Sequence, residues 1–255
     1  MATSVPAHQQ EILDACSTGA IAVLKELLKS YGIYQGTAPI LHRDVTESGC
    51  PSTGAMLSAA ILSKQAAVVR FLLDEFNGYP TDWSDAQRES QKPISFGSGI
   101  AQAVLDSPDI EILQVLLDYD HRIANYEFDD HTTFLSQACQ RDPDKIGPLI
   151  KLLVAHGADM QAGWRWNWDL LPAIYGGQHL DVMEAMVAKG ARINYLAILY
   201  AVRKERADVL QMVLDKRGAR DGRLSDADVE QLRTEAKVAD DVLVIKLVER
   251  LISAT

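Results

Sequence analysis

The chain has 255 residues, is 47% hydrophobic and carries a formal charge of -10 at pH 7. That composition suits a globular domain, and the acidic balance disfavours DNA or RNA as partner, because phosphate binding needs clustered Lys and Arg. No apolar run approaches the roughly 18 residues of a membrane helix, so no membrane association is expected.

The N-terminal stretch MATSVPAHQQEILDAC lacks a basic segment followed by an apolar core, which predicts no secretory signal. The three cysteines, Cys16, Cys50 and Cys139, are odd in number and scattered. They form no disulfide framework or CxxC metal site, so a reducing, intracellular (cytoplasmic) setting is expected, without metal or cofactor.

The first helical signal is VLKELL from Val23. Its pattern is two aliphatic residues, a polar one, then an apolar run. It returns as VVRFLL from Val68, ILQVLL from Ile112, LIKLLV from Leu149, VMEAMV from Val182, VLQMVL from Val209 and, more weakly, VIKLVE from Val244. The apolar spacing predicts amphipathic helices. A shorter Ala-rich helical segment precedes each copy, as in MLSAAILS (56–63), FLSQACQR (134–141) and LAILYAVR (196–203). Strand signals are confined to the connectors. The unit is therefore a helix, a tight turn and a longer helix. HGAD at 156–159, KGARIN at 189–194 and RGAR at 217–220 close successive units, with glycine positioned for a left-handed helix cap.

These units resemble the ankyrin repeat, a helical pair of about 33 residues with the signature T-P-L-H-x-A. Thr133-Phe134-Leu135-Ser136-Gln137-Ala138 carries that signature in the fourth unit. GADMQAGW from Gly157 aligns with the family's G-A-D-V-N-A-x-D, and HLDVMEAMVAKGA from His179 with its second helix. The resemblance is strongest at about residues 128–195. It implies an all-α ankyrin-repeat solenoid of about six helix-turn-helix units in one domain. The units cover about 9–33, 55–76, 98–125, 128–162, 164–194 and 196–220, with a C-terminal capping helix pair at about 225–255.

The signature copies start 45, 44, 37, 33, 27 and 35 residues apart. Against the family period, the first two connectors are long and the fifth is short by about 6 residues. In solenoids such insertions fall on one face, often the binding face. The second long connector carries Trp83, a candidate ligand contact on a loop that would lid the groove, beside a short helix expected over 82–89.

By family register, the ligand-contact positions of the fingertips are Asp129, Asp130 and Thr132 in unit four and Arg165, Trp166 and Trp168 in unit five. Trp164 stands where the family has a structural Asp. The corresponding first-helix positions are Gln140 and Arg141, Gly176 and Gly177, and Arg203 and Lys204, with Tyr200 one turn before Arg203. The paired glycines remove side chains where a ligand would approach the backbone.

The resemblance implies a recognition module that binds a protein or an apolar small molecule on its concave face, with the oligomeric state left open. The alternative is a stand-alone enzyme whose aromatic-lined pocket cyclises or isomerises a metabolite by holding a folded conformer. Its acid, base or polarising groups would be Asp130, His131, Tyr200 and Arg203. Against each stands a plainer role. Asp130–His131 and His42-Arg43-Asp44 also read as solvated loop residues, and Trp83 as an anchor that pins its loop to the neighbouring repeat. FGSGIAQ from Phe96 lacks the third glycine and preceding strand of a nucleotide-binding turn.

Overall fold

A computed structural model describes residues 6–45, 49–129, 132–161, 169–217, 223–239 and 241–253. The chain is all-α, with one two-stranded ribbon among the described residues. Its contacts divide into two units, Met1–Ile123 and Ala124–Thr255.

In the first unit the helices are α1 (Ala7–Thr18), α2 (Ile21–Ser30), α3 (Thr53–Leu62), α4 (Ala66–Glu75), α5 (Asp85–Ser90), α6 (Ser98–Asp106) and α7 (Ile110–Tyr119). They pack as two rows, α1 on α3 on α6 and α2 on α4 on α7. The signature segments at Val23, Val68 and Ile112 fall in α2, α4 and α7, and bury their aliphatic faces.

Main-chain hydrogen bonds hold the two long connectors of this unit. Gly36 N–H donates to Glu75 O, and Gly78 N–H to Thr37 O. A Cβ on Gly78 would stand 1.9 Å from Gly36 O, so only glycine permits this approach. Buried Thr53 ties the first connector to α3: its Oγ1 accepts from Ile40 N–H at 2.9 Å. Ser84 and Gln87 form a capping box that starts α5, so the short helix begins three residues later than the sequence suggests.

The second unit opens with the ribbon β1 (Glu127–Asp129) and β2 (Thr132–Thr133), which pair antiparallel. Four helical hairpins follow: α8 (Phe134–Cys139) with α9 (Pro143–Ala155), α10 (Leu171–Tyr175) with α11 (Leu180–Ala188), α12 (Tyr195–Arg203) with α13 (Ala207–Lys216), and α14 (Asp226–Ala239) with α15 (Val242–Ser253). The first helices stack as α8–α10–α12–α14 and the second as α9–α11–α13–α15. The remaining four signature segments lie in α9, α11, α13 and α15.

Gly157 and Gly190, with φ of +83° and +110°, end α9 and α11. The turn inside each hairpin makes its own demand. Gly19, Lys64, Gly177 and Glu205 occupy the same place in four hairpins, and all have positive φ, at +76°, +56°, +72° and +53°. Glycine adopts that conformation freely, whereas Lys64 and Glu205 carry a strain of about 1–2 kcal/mol.

Buried Gln178 ties its own hairpin to the one on either side. Its Nε2 donates to Cys139 O at 2.8 Å and Arg141 O at 3.0 Å, at the end of α8, and its own carbonyl accepts from Arg206 Nη1 at 3.0 Å.

Candidate functional site

The second unit contains a cavity of about 410 Å³. Helix α8 supplies Leu135, Ser136 and Cys139 to its wall, α10 supplies Leu171, Pro172 and Tyr175, α11 supplies Met186, and α12 supplies Tyr200. Thr132, Asp159, Met160 and Asp169 approach from the connectors. The size lies in the range of small-molecule sites, about 300–1,000 Å³.

Helix α10 makes this space. It has only five residues, with Pro172 in its first turn and Gly176-Gly177 directly after it. Proline pre-sets the helical φ at the start, and the positive φ of Gly177 turns the chain at the end. The short helix buries Leu171, Ala173 and Ile174 and leaves Tyr175 59% exposed. The Tyr175 and Tyr200 rings meet edge to face, with centroids 6.4 Å apart. A cation stands over each ring: the Lys204 ammonium 4.9 Å from the Tyr175 centroid, and the Arg203 guanidinium 5.7 Å from that of Tyr200.

The polar groups of the wall are mostly engaged. Thr133 caps α8, its Oγ1 accepting from Ser136 N–H at 3.1 Å. Ser136 Oγ donates back to Thr133 O at 2.9 Å. Burial pushes the Cys139 thiol up to about 12, so it stays protonated and is no nucleophile at neutral pH. Asp169 differs from these. Its side chain is fully buried, and its Oδ2 accepts from Arg192 N–H at 2.6 Å and Arg192 Nε at 3.0 Å. Its Oδ1 is buried without a hydrogen-bond partner.

Of the residues singled out from sequence, Gln140, Thr132 and Tyr200 line the cavity. Asp129, Arg141, Gly176, Gly177, Arg203 and Lys204 do not, although Arg203 and Lys204 stand against the two tyrosines that do. Arg203 is held by Glu235 of α14 at 2.5 Å; this hydrogen bond raises the arginine's affinity for its proton and lowers the carboxyl's.

The glycine pair has a structural explanation in place of the ligand approach expected for it. A Cβ on Gly176 would lie 1.9 Å from Cys139 O, so the adjoining hairpin already fills that room. Gly177 serves the turn. Trp83 is half-buried in the first unit, 5.8 Å from the Tyr79 ring, and is not part of the cavity wall. Asp130, His131, Trp164, Arg165, Trp166 and Trp168 lie outside the described residues.

Sequence inspection missed Asp169 and Tyr175. The only cue was a lone acid set in the apolar run Trp168-Asp169-Leu170-Leu171. Among the described residues no cluster of His, Cys, Asp and Glu could hold a metal ion, and no helix is long and apolar enough to cross a membrane. No family model matches the chain, and no curated protein is similar to it.

Proposed function

We propose that the chain is an intracellular ankyrin-type recognition protein that holds a small organic molecule in the cavity between α8, α10 and α12. The ankyrin assignment draws on the seven signature segments, each in the second helix of a hairpin, and on the Gly-Ala turns that close α9 and α11. The three cysteines are all buried and none is in a disulfide, which suits a reducing compartment.

The cavity itself carries the proposal. Its described wall pairs apolar and aromatic side chains with polar ones in nearly equal number, so it offers both a body for an organic molecule and groups to orient it. Three of the described groups at or beside the cavity are already inert or engaged, which supports binding over cyclisation or isomerisation. The Cys139 thiol is held protonated, the Ser136 hydroxyl is spent on Thr133 O, and Arg203 is neutralised by Glu235.

Native mass spectrometry of gently purified protein tests this. A bound small molecule is expected, released on denaturation, with lower occupancy in Tyr175→Ala and Tyr200→Ala than in the parent. A ligand-free spectrum, together with tyrosine variants that lose only a protein partner, would reject it in favour of a protein-binding surface.

A further inference from the structure

We infer that the molecule held in this cavity is an uncharged ring compound with a lactam or carboxamide edge, and that the side-chain amide of Gln137 recognises that edge. This ligand class rests on the small-molecule function proposed above.

The hairpin register gives Gln137 its place. It precedes Ala138, as Pro172 precedes Ala173 and Tyr200 precedes Ala201, and all three alanines are fully buried. The row α8–α10–α12 thus sets Pro172 between Gln137 and Tyr200, and all three residues line the cavity. Proline is the shortest of them and has no polar side chain, so it leaves a gap between an amide and an aromatic ring. A flat ring fits that gap, and Tyr175, one turn after Pro172, adds a second aromatic side chain.

The neighbours of Gln137 on α8 are committed. Ser136 Oγ donates to Thr133 O, and Gln140 Nε2 donates to Ser136 O at 3.3 Å. No hydrogen bond joins the half-buried Gln137 side chain to another described residue. Its amide offers an acceptor and two donors side by side. The complement is a group with a donor and an acceptor on adjacent atoms. A lactam or carboxamide has both; an amine, a carboxylate or a ketone does not.

Charge excludes ions. Among the described residues, Asp169 has a fully buried side chain and is paired with Arg192, and Arg203 over Tyr200 is paired with Glu235. Asp159 and Lys204 remain, opposite in sign and at opposite ends. Asp159 N–H donates to Asn125 Oδ1, next to the Tyr126 carbonyl that receives Phe134 N–H at the start of α8. Lys204 follows α12 and stands over the Tyr175 ring. Both are exposed, so water screens them. An ion entering the cavity would lose hydration with no net opposite charge to offset it, whereas an uncharged amide is met by Gln137.

Benzamide, acetophenone, benzoate and benzylamine share one ring and differ at the edge. Each is titrated into the full chain and followed by NMR. Benzamide should bind about tenfold or more tightly than the two ions, and about threefold more tightly than acetophenone, which keeps the acceptor and lacks the N–H. The Gln137 side-chain NH2 signals should move saturably with benzamide. Gln137→Met that melts like the parent should bind benzamide and acetophenone alike. If that variant does not fold, the Gln137 signals of the parent decide. Benzamide that binds without moving them overturns the role of Gln137. Another probe that matches benzamide in the parent overturns the ligand class and leaves the cavity as a binding site. If none binds, the amide assignment falls, and the native mass spectrum still judges the cavity separately.

Discussion

Helices α3 and α10 each open a hairpin, and they solve the same packing problem differently. Helix α3 runs for ten residues, capped by Ser52, and buries Thr53, Met56, Leu57, Ala60 and Ile61. Helix α10 runs for five, has no side-chain cap and leaves Tyr175 in the open. Two residues before α10 stands Asp169, whose carboxylate is turned to Arg192 instead of to its own helix. The lesson is that a shortened first helix leaves a hollow where a full one makes a core, while the hairpin itself survives.

Core truncation should separate the two helices most sharply. Met56→Ala is expected to cost about 2–5 kcal/mol in urea denaturation, whereas Tyr175→Ala should stay within about 0.5 kcal/mol. Equal losses would mean that Tyr175 is core and that α10 borders no hollow. The glycines come next. Gly176→Ala should cost about 1–3 kcal/mol, because its Cβ meets the Cys139 carbonyl. Gly54→Ala in α3, where a Cβ meets nothing within 4 Å, should gain about 0.4–1 kcal/mol.

The hairpin turns give a smaller pair of opposite sign. Gly177→Ala should lose about 1 kcal/mol, and Glu205→Gly should gain a few tenths, about what relieved strain leaves after glycine's extra unfolded-state freedom. The smallest effect concerns the Arg203–Glu235 pair behind Tyr200. Its hydrogen bond lowers the Glu235 carboxyl below its ordinary value. The contribution is therefore present above the ordinary carboxylate range and lost as pH falls through the lowered folded value. Glu235→Gln should be slightly less stable than the parent at pH 7, and the difference should vanish in acid, as read from urea midpoints at each pH.

The helices were legible because their signal is local. Each signature segment contains the apolar spacing that buries it, and the Gly-Ala cues at Gly157 and Gly190 coincide with left-handed caps. The site was legible only in part. Register brought out Tyr200 and Gln140, which reach the cavity from fixed positions on their helices. It passed over Asp169 because the partner that buries it, Arg192, lies 23 residues on, and no periodicity encodes that pairing. Gly176 shows the complementary gap. A missing side chain announces close approach, but the sequence does not name the approaching atom, here the Cys139 carbonyl instead of a ligand. The lengths of the two long connectors were visible, while the Gly36–Gly78 approach that fastens them depends on main-chain atoms alone.

The amide of Gln178 grips two carbonyl oxygens, not two side chains. Every residue type offers a carbonyl, so the joint between the α8 and α10 hairpins places no demand on the identity of Cys139 or Arg141. A coupling of this kind lets the surfaces of neighbouring hairpins diverge freely while their spacing stays fixed. The same scaffold can thus carry a hollow beside α10 without propagating the change down the row.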